Sequence, residues 1–178
     1  MTEATRAWVA DVVRSALWSE EEVRAQVVAA IRADHPTLPA DATAGVWIAE
    51  SRAAWRAEAA DWPEVTDHDR LVDAFDSLER AGIVVLQGVA DHWVARDELE
   101  RRTPKPAGVA WFTPTDVWHA IDDGMLEVNL WHASTANAAP GDELLDRALD
   151  AFTTAGLRAR FDEGRIEVSA RWQCRPPG

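Results

Sequence analysis

The run Leu157-Arg158-Ala159-Arg160-Phe161-Asp162-Glu163-Gly164-Arg165-Ile166-Glu167-Val168-Ser169-Ala170-Arg171-Trp172 decides the fold class. Its centre, Glu163-Gly164, is a two-residue loop of the kind a type I′ hairpin wants. On the second side Ile166, Val168, Ala170 and Trp172 alternate with Glu167, Ser169, Arg171 and Gln173, the period of a strand with one buried face. Strands joined this tightly are antiparallel. Working back along the chain, Met125 to Trp131 alternates in the same way. Leu126, Val128 and Leu130 fall on one face, Glu127 and Asn129 on the other. Val109-Ala110-Trp111-Phe112 and Ile83-Val84-Val85-Leu86 are near-continuous apolar runs, as buried strands are.

Helical signals separate these strands. Thr66-Asp67-His68-Asp69 is an N-cap with an acidic residue three positions on, Leu71, Phe75 and Leu78 line one face, and Gly82 supplies the stop. Thr113-Pro114-Thr115-Asp116 opens a short helix that ends near Asp123 and Gly124. Asp142 to Ala155 is a further helix, closed by Gly156. The charged segment Asp91 to Arg102, followed by Pro104-Lys105-Pro106, reads as a connecting loop. Upstream, Val9, Val12, Val13, Ala16 and Leu17 recur at helical spacing, and Ser19 with Glu22 forms a capping box ahead of Val23, Val27, Ala30 and Ile31. His35-Pro36-Thr37-Leu38-Pro39 breaks that helix before a third, from Asp41 to Ala60. The expected fold is α+β. A helical N-terminal unit (1–64) precedes a mixed sheet of about five strands packed with helices (65–178), the two forming one globule.

The 178 residues carry 18 basic and 31 acidic side chains, a formal charge of −13. Such a surface repels nucleic-acid backbones and anionic lipid, so neither is an expected partner. No stretch approaches about 18 uncharged apolar residues, which excludes a helical membrane span. Met1 to Arg6 leads into an amphipathic pattern rather than a signal peptide. Cys174, the single cysteine, makes no internal disulfide, and the chain reads as cytoplasmic. Arg175-Pro176-Pro177-Gly178 is expected to fray.

Strong catalytic motifs are missing: there is no phosphate-binding glycine loop, G-x-S-x-G elbow or H-E-x-x-H. No cofactor is expected. Among five scattered histidines, His119 lies one helical turn from Asp116, and His132 ends the following strand. Asp116, His119 and His132 are therefore the best available acid–base or metal constellation, although Asp116 also has work as a capping residue. Ten tryptophans with no tyrosine supply more aromatic area than a core of this size requires. Some are expected at a partner surface, where tryptophan is enriched. Trp93 beside His92, and Trp118 beside His119, are the candidates. Asp69, Asp73 and Asp76, at i, i+4 and i+7, add a solvated acidic stripe. These residues point to an acidic protein-interaction module, immunity- or antitoxin-like or regulatory, with a basic protein as partner. The alternative is a small-molecule or metal-binding enzyme built on Asp116, His119 and His132.

Trp62-Pro63-Glu64-Val65-Thr66-Asp67-His68-Asp69-Arg70-Leu71, followed by Ala74-Phe75 and Ala81-Gly82-Ile83-Val84, resembles the heart of a bacterial domain-of-unknown-function family, number 6891. Gly108-Val109-Ala110-Trp111-Phe112, Ala155-Gly156-Leu157 and Arg165-Ile166-Glu167-Val168 leading to Trp172 are similar too. Many relatives in that family carry a cysteine cluster shortly after the Gly-Ile strand; here Leu86 to Trp93 holds none. They also have a Gln-rich acidic segment after the second strand, where this chain has Thr113-Pro114-Thr115-Asp116. The resemblance therefore implies kinship of fold, without a thiolate metal site and without an assigned activity.

Overall fold

The computed structural model describes residues 2–177. Among them are seven helices and five strands, and the chain divides into two compact units, 1–64 with 173–178, and 65–172. Of the tail, residues 173–177 group with the helices.

In the helical unit, α1 (Thr2–Ser15), α2 (Glu20–Asp34) and α3 (Ala40–Ala59) pack on one another. Their shared core takes Val9, Val12 and Val13 from α1, Val23, Val27 and Ile31 from α2, and Ala44, Trp47, Ile48 and Trp55 from α3. The capping box at α2 forms as the sequence requires. Ser19 Oγ accepts from the Glu22 backbone N–H, and the Glu22 carboxylate accepts from the Ser19 N–H at 2.8 Å. The tail is not frayed at its start. Arg175 donates to the Pro63 carbonyl at 2.6 Å, and the Trp55 indole N–H donates to the Cys174 carbonyl at 2.9 Å. Local sequence shows only a proline pair and carries no sign of these long-range anchors; Gly178 lies outside the described residues.

The second unit is a five-stranded sheet in the order β1-β2-β3-β5-β4. The strands are β1 (Ile83–Leu86), β2 (Gly108–Trp111), β3 (Met125–His132), β4 (Arg158–Asp162) and β5 (Arg165–Ser169). β1 and β2 are parallel and every other pair is antiparallel, so the sheet is mixed. A parallel pair needs a crossover. It contains a helix, α5 (His92–Arg101), where the sequence suggested a loop. The signal was present: the Asp91 side chain caps the Trp93 and Val94 N–H groups, and Ala95 and Leu99 are the one buried pair at helical spacing. Charges on the remaining faces hid it.

The alternation of each strand sorts the sheet into two faces. Val84, Val109 and Trp111 share one face with Ala95 and Leu99 of α5. Ala110, Leu126, Val128, Leu130, Ile166 and Val168 point to the other, beneath α4 (Asp67–Arg80) and α7 (Glu143–Thr154). Phe112 marks this second layer: its ring stacks on Phe75 of α4 at 5.6 Å, and Phe75 meets Phe152 of α7 edge-on at 6.3 Å. The remaining helix, α6 (Pro114–Asp122), joins β2 to β3. β5 stops at Ser169, short of Trp172, because β3 begins only at Met125. Ala170 and Trp172 instead donate to the carbonyls of Gly124 and Ala120. Both side chains remain buried.

The β4–β5 hairpin turns through Glu163 and Gly164, with φ of +43° and +91°. Glycine adopts this region freely; glutamate does not, and asparagine is the better-tolerated side chain. Glu163→Asn should therefore raise stability by about 0.5–1 kcal/mol in urea unfolding. A variant no more stable than wild type would show that Glu163 carries no strain there.

Candidate functional site

α5 packs on its face of the sheet over β1, β2 and, through Trp131, the end of β3. Beyond it the same face of β3, β5 and β4 is polar. Glu127 lies opposite Glu167, and each carboxylate is matched by a guanidinium: Arg165 to Glu127 at 2.6 Å, and Arg160 to Glu167. Without those arginines the like-charged cross-strand pair would be destabilising.

α6 borders this surface. Its first turn is a capping box in which the buried Asp116 accepts from both the Thr113 N–H and the Thr113 hydroxyl, each at 2.7 Å. His119 follows one turn later and is exposed. With Glu127 these form the one group of potential metal ligands among the described residues, their nearest ligand atoms all within 4.8 Å of one another. A carboxylate–imidazole–carboxylate set suits a divalent cation such as zinc or manganese. Two of its carboxylate oxygens already have partners, in the cap and in the Arg165 ion pair. The Glu127 charge is thus offset by a cation, while Asp116 is held by neutral donors that leave its charge in place.

His132 is not part of it. β3 leaves α6 at Met125, so His132 lies five residues past Glu127, about 16 Å away at strand rise. There its ring Nε2 sits 2.9 Å from Asp142 Oδ2, which also accepts from the Ala139 N–H. The His132 hydrogen bond, then that of Ala139, holds the Asp142 carboxyl below the usual carboxylate range. Asp142 consequently makes no side-chain cap to α7. Alternation correctly identifies the strand but not which of its ends faces α6, and the expected trio separates for that reason. Glu127, which completes the cluster instead, is visible in the sequence only as one outward-facing strand position.

The expected partner-binding residues fall on three helices, α5, α6 and α4. His92 and Trp93 project from the start of α5, and Trp93 is 54% exposed. Its ring lies 4.6 Å from that of His92 and beneath the Arg96 guanidinium. Behind them His92 meets Trp131, which packs edge-on against Trp111 at 5.2 Å. Trp118 of α6 is partly buried, its indole N–H enclosed without a hydrogen-bond partner among the described residues, as is that of Trp111.

Asp69, Asp73 and Asp76 stand on α4, over the opposite face of the sheet. Asp69 accepts from the N–H and hydroxyl of Thr66 in a third capping box, at 2.7 and 2.9 Å. Asp73 and Asp76 are exposed, with exposed Val72 between the turns. α7 packs beside α4 and adds exposed Asp146 and Asp150. Together the two helices hold eight carboxylates against three arginines.

One histidine beside this layer is tuned by burial. His68 packs edge-on against Trp172 at 4.7 Å, and desolvation lowers its pKa below the ordinary 6.5, with the Asp69 charge opposing in part. As pH falls through 6.5 the unfolded chain takes up a proton that the native His68 resists. Stability rises with pH over that window and is lost below it. Urea unfolding at pH 7.5 and 5.5 should show a smaller loss for His68→Gln than for wild type. Equal losses would remove His68 as the cause.

The family model described as Domain of unknown function (DUF6891) matches residues 1–176. The chain belongs to the DUF6891 family. The match spans both units, so in this DUF6891 member the helices and the sheet are parts of one family pattern. No curated protein and no solved structure matches the chain. Among the described residues no helix is long and apolar enough to cross a membrane.

Proposed function

We propose that this DUF6891 chain is a protein-interaction module, an immunity- or antitoxin-like or regulatory binder, and that a basic protein docks on the α4–α7 layer. The observation that carries the reading is the paired acidic surface: Asp73 and Asp76 on one helix, Asp146 and Asp150 on its neighbour, with Val72 exposed among them. Such an array steers a cationic partner and fixes its register, while the apolar side chain adds desolvation at the centre. The overall charge of −13 supports the same choice and argues against nucleic acid or anionic membrane. A cytoplasmic setting fits a sequence with a single cysteine and no second one to pair with it.

Native mass spectrometry of the chain purified gently from its own host tests this. A basic chain should co-purify, and Asp73→Lys combined with Asp76→Lys should weaken the complex at least about tenfold. Absence of any partner would overturn the reading. Loss on Trp93→Ala with the charge reversal silent would move the interface to the aromatic patch on α5.

The enzyme or ligand-binding alternative retains one observation, the convergence of Asp116, His119 and Glu127. Zinc or manganese titration followed by calorimetry, with His119→Ala as control, decides it. Saturable binding lost in the variant supports that reading, and no heat rejects it.

A further inference from the structure

The helical unit holds a half-open cavity of about 320 Å³. Its apolar wall draws one residue from each helix, Val13, Val23 and Trp55, together with Trp18 from the α1–α2 turn. Trp55 is almost fully buried and its indole N–H is already spent on the Cys174 carbonyl, so the ring offers the cavity only apolar surface. The turn itself is forced. Ala16, also on the wall, has φ +53°, a left-handed conformation that costs a non-glycine residue roughly 1 kcal/mol. Strain kept in a cavity wall is a reason to ask what the cavity holds.

The charged groups at this cavity answer by their pairing. Arg52 is matched by Glu20 at 2.7 Å, and the pair is neutral. Arg175 is not matched. Its Nη2 donates to the carbonyls of Pro63 at 2.6 Å and Glu64 at 3.3 Å, which position the guanidinium without cancelling its charge. Among the described residues no carboxylate comes within ion-pair distance of it. An anchored, uncompensated cation beside an apolar cavity stands out in a chain of net charge −13.

We propose that this cavity binds a small amphipathic carboxylate, an aromatic acid whose ring body lies against Trp18 and Trp55 while its carboxylate meets Arg175. The size agrees: an enclosed apolar cavity of about 150 Å³ takes a benzene ring, so this one suits a fused two-ring body with its acid group at the mouth. With Nη2 held by the Pro63 and Glu64 carbonyls, the guanidinium keeps its charge and its Nε and Nη1 N–H groups for charge-assisted hydrogen bonds to a carboxylate, which sets the acid apart from its uncharged analogue.

Calorimetry on the full chain with 1-naphthoate and with 1-naphthamide is the test. Naphthoate should bind saturably and at least about tenfold more tightly than the amide. Arg175→Gln should abolish that preference by weakening the acid while leaving amide binding unchanged. Val23→Trp, which fills the cavity, should remove binding of both; circular dichroism checks that it folds, and Val23→Phe serves if it does not. Failure of naphthoate to bind, equal binding of acid and amide, or an Arg175→Gln variant that weakens both alike would each overturn the proposal. None of these outcomes bears on the α4–α7 interface.

Discussion

Phe112→Ala should cost about 3–5 kcal/mol in urea unfolding. Phe112 is fully buried in a cluster of rings: it stacks on Phe75 at 5.6 Å, meets Trp172 edge-on at 5.9 Å, and through Phe75 reaches Phe152. The four rings come from the end of β2, α4, the stretch after β5, and α7. Truncation removes a large apolar transfer term and leaves a cavity that several separate elements would have to close together. A loss below about 1.5 kcal/mol would show that the layer collapses around the gap. The same substitution loosens the seat of α4, so partner binding by the acidic layer should fall with it even though no charge is changed.

The second large effect comes from the smallest side chain. Gly108→Ala should destabilise by about 3 kcal/mol. Gly108 begins β2, paired with Ile83 on one side and His132 on the other. A Cβ there would run into the Trp131 carbonyl, and it would meet the Leu144 methyls at 2.9 and 3.2 Å. Leu144 has rotamers to try, but the carbonyl belongs to the neighbouring strand and yields only if the strand shifts. This glycine therefore serves close approach of backbone and helix α7 rather than a turn. Thermal or urea unfolding measures it, and a variant within about 0.5 kcal/mol of wild type would mean that β3 moves more easily than a paired strand should.

Much of the architecture is readable from the residues alone. All three capping boxes, at Ser19, Thr66 and Thr113, form as the residues imply, since a cap involves only four neighbouring residues. The alternation in β3 and the Glu163-Gly164 turn are legible for the same reason. Helix α5 is harder, because a ten-residue helix that buries only Ala95 and Leu99 looks like a charged linker. Of the candidate site, the Asp116–His119 pair follows from helical spacing alone. The third member does not, because His132 and Glu127 are both plausible strand positions until the direction of β3 relative to α6 is known.

The division is a physical one. Local chemistry, expressed in side-chain period, caps and stops, determined which segments became helices and strands and which face of each was apolar. It also determined the acidic character of α4. Tertiary structure alone decided the strand order and the parallel β1–β2 pair. It also placed His132 against Asp142 rather than His119, set the acidic helices and the Trp93 patch on opposite faces of the sheet, and held Arg175 on the Pro63 and Glu64 carbonyls. Each of those outcomes depends on contacts between residues distant in the chain, whose energies favour one packing over others that the same local pattern permits.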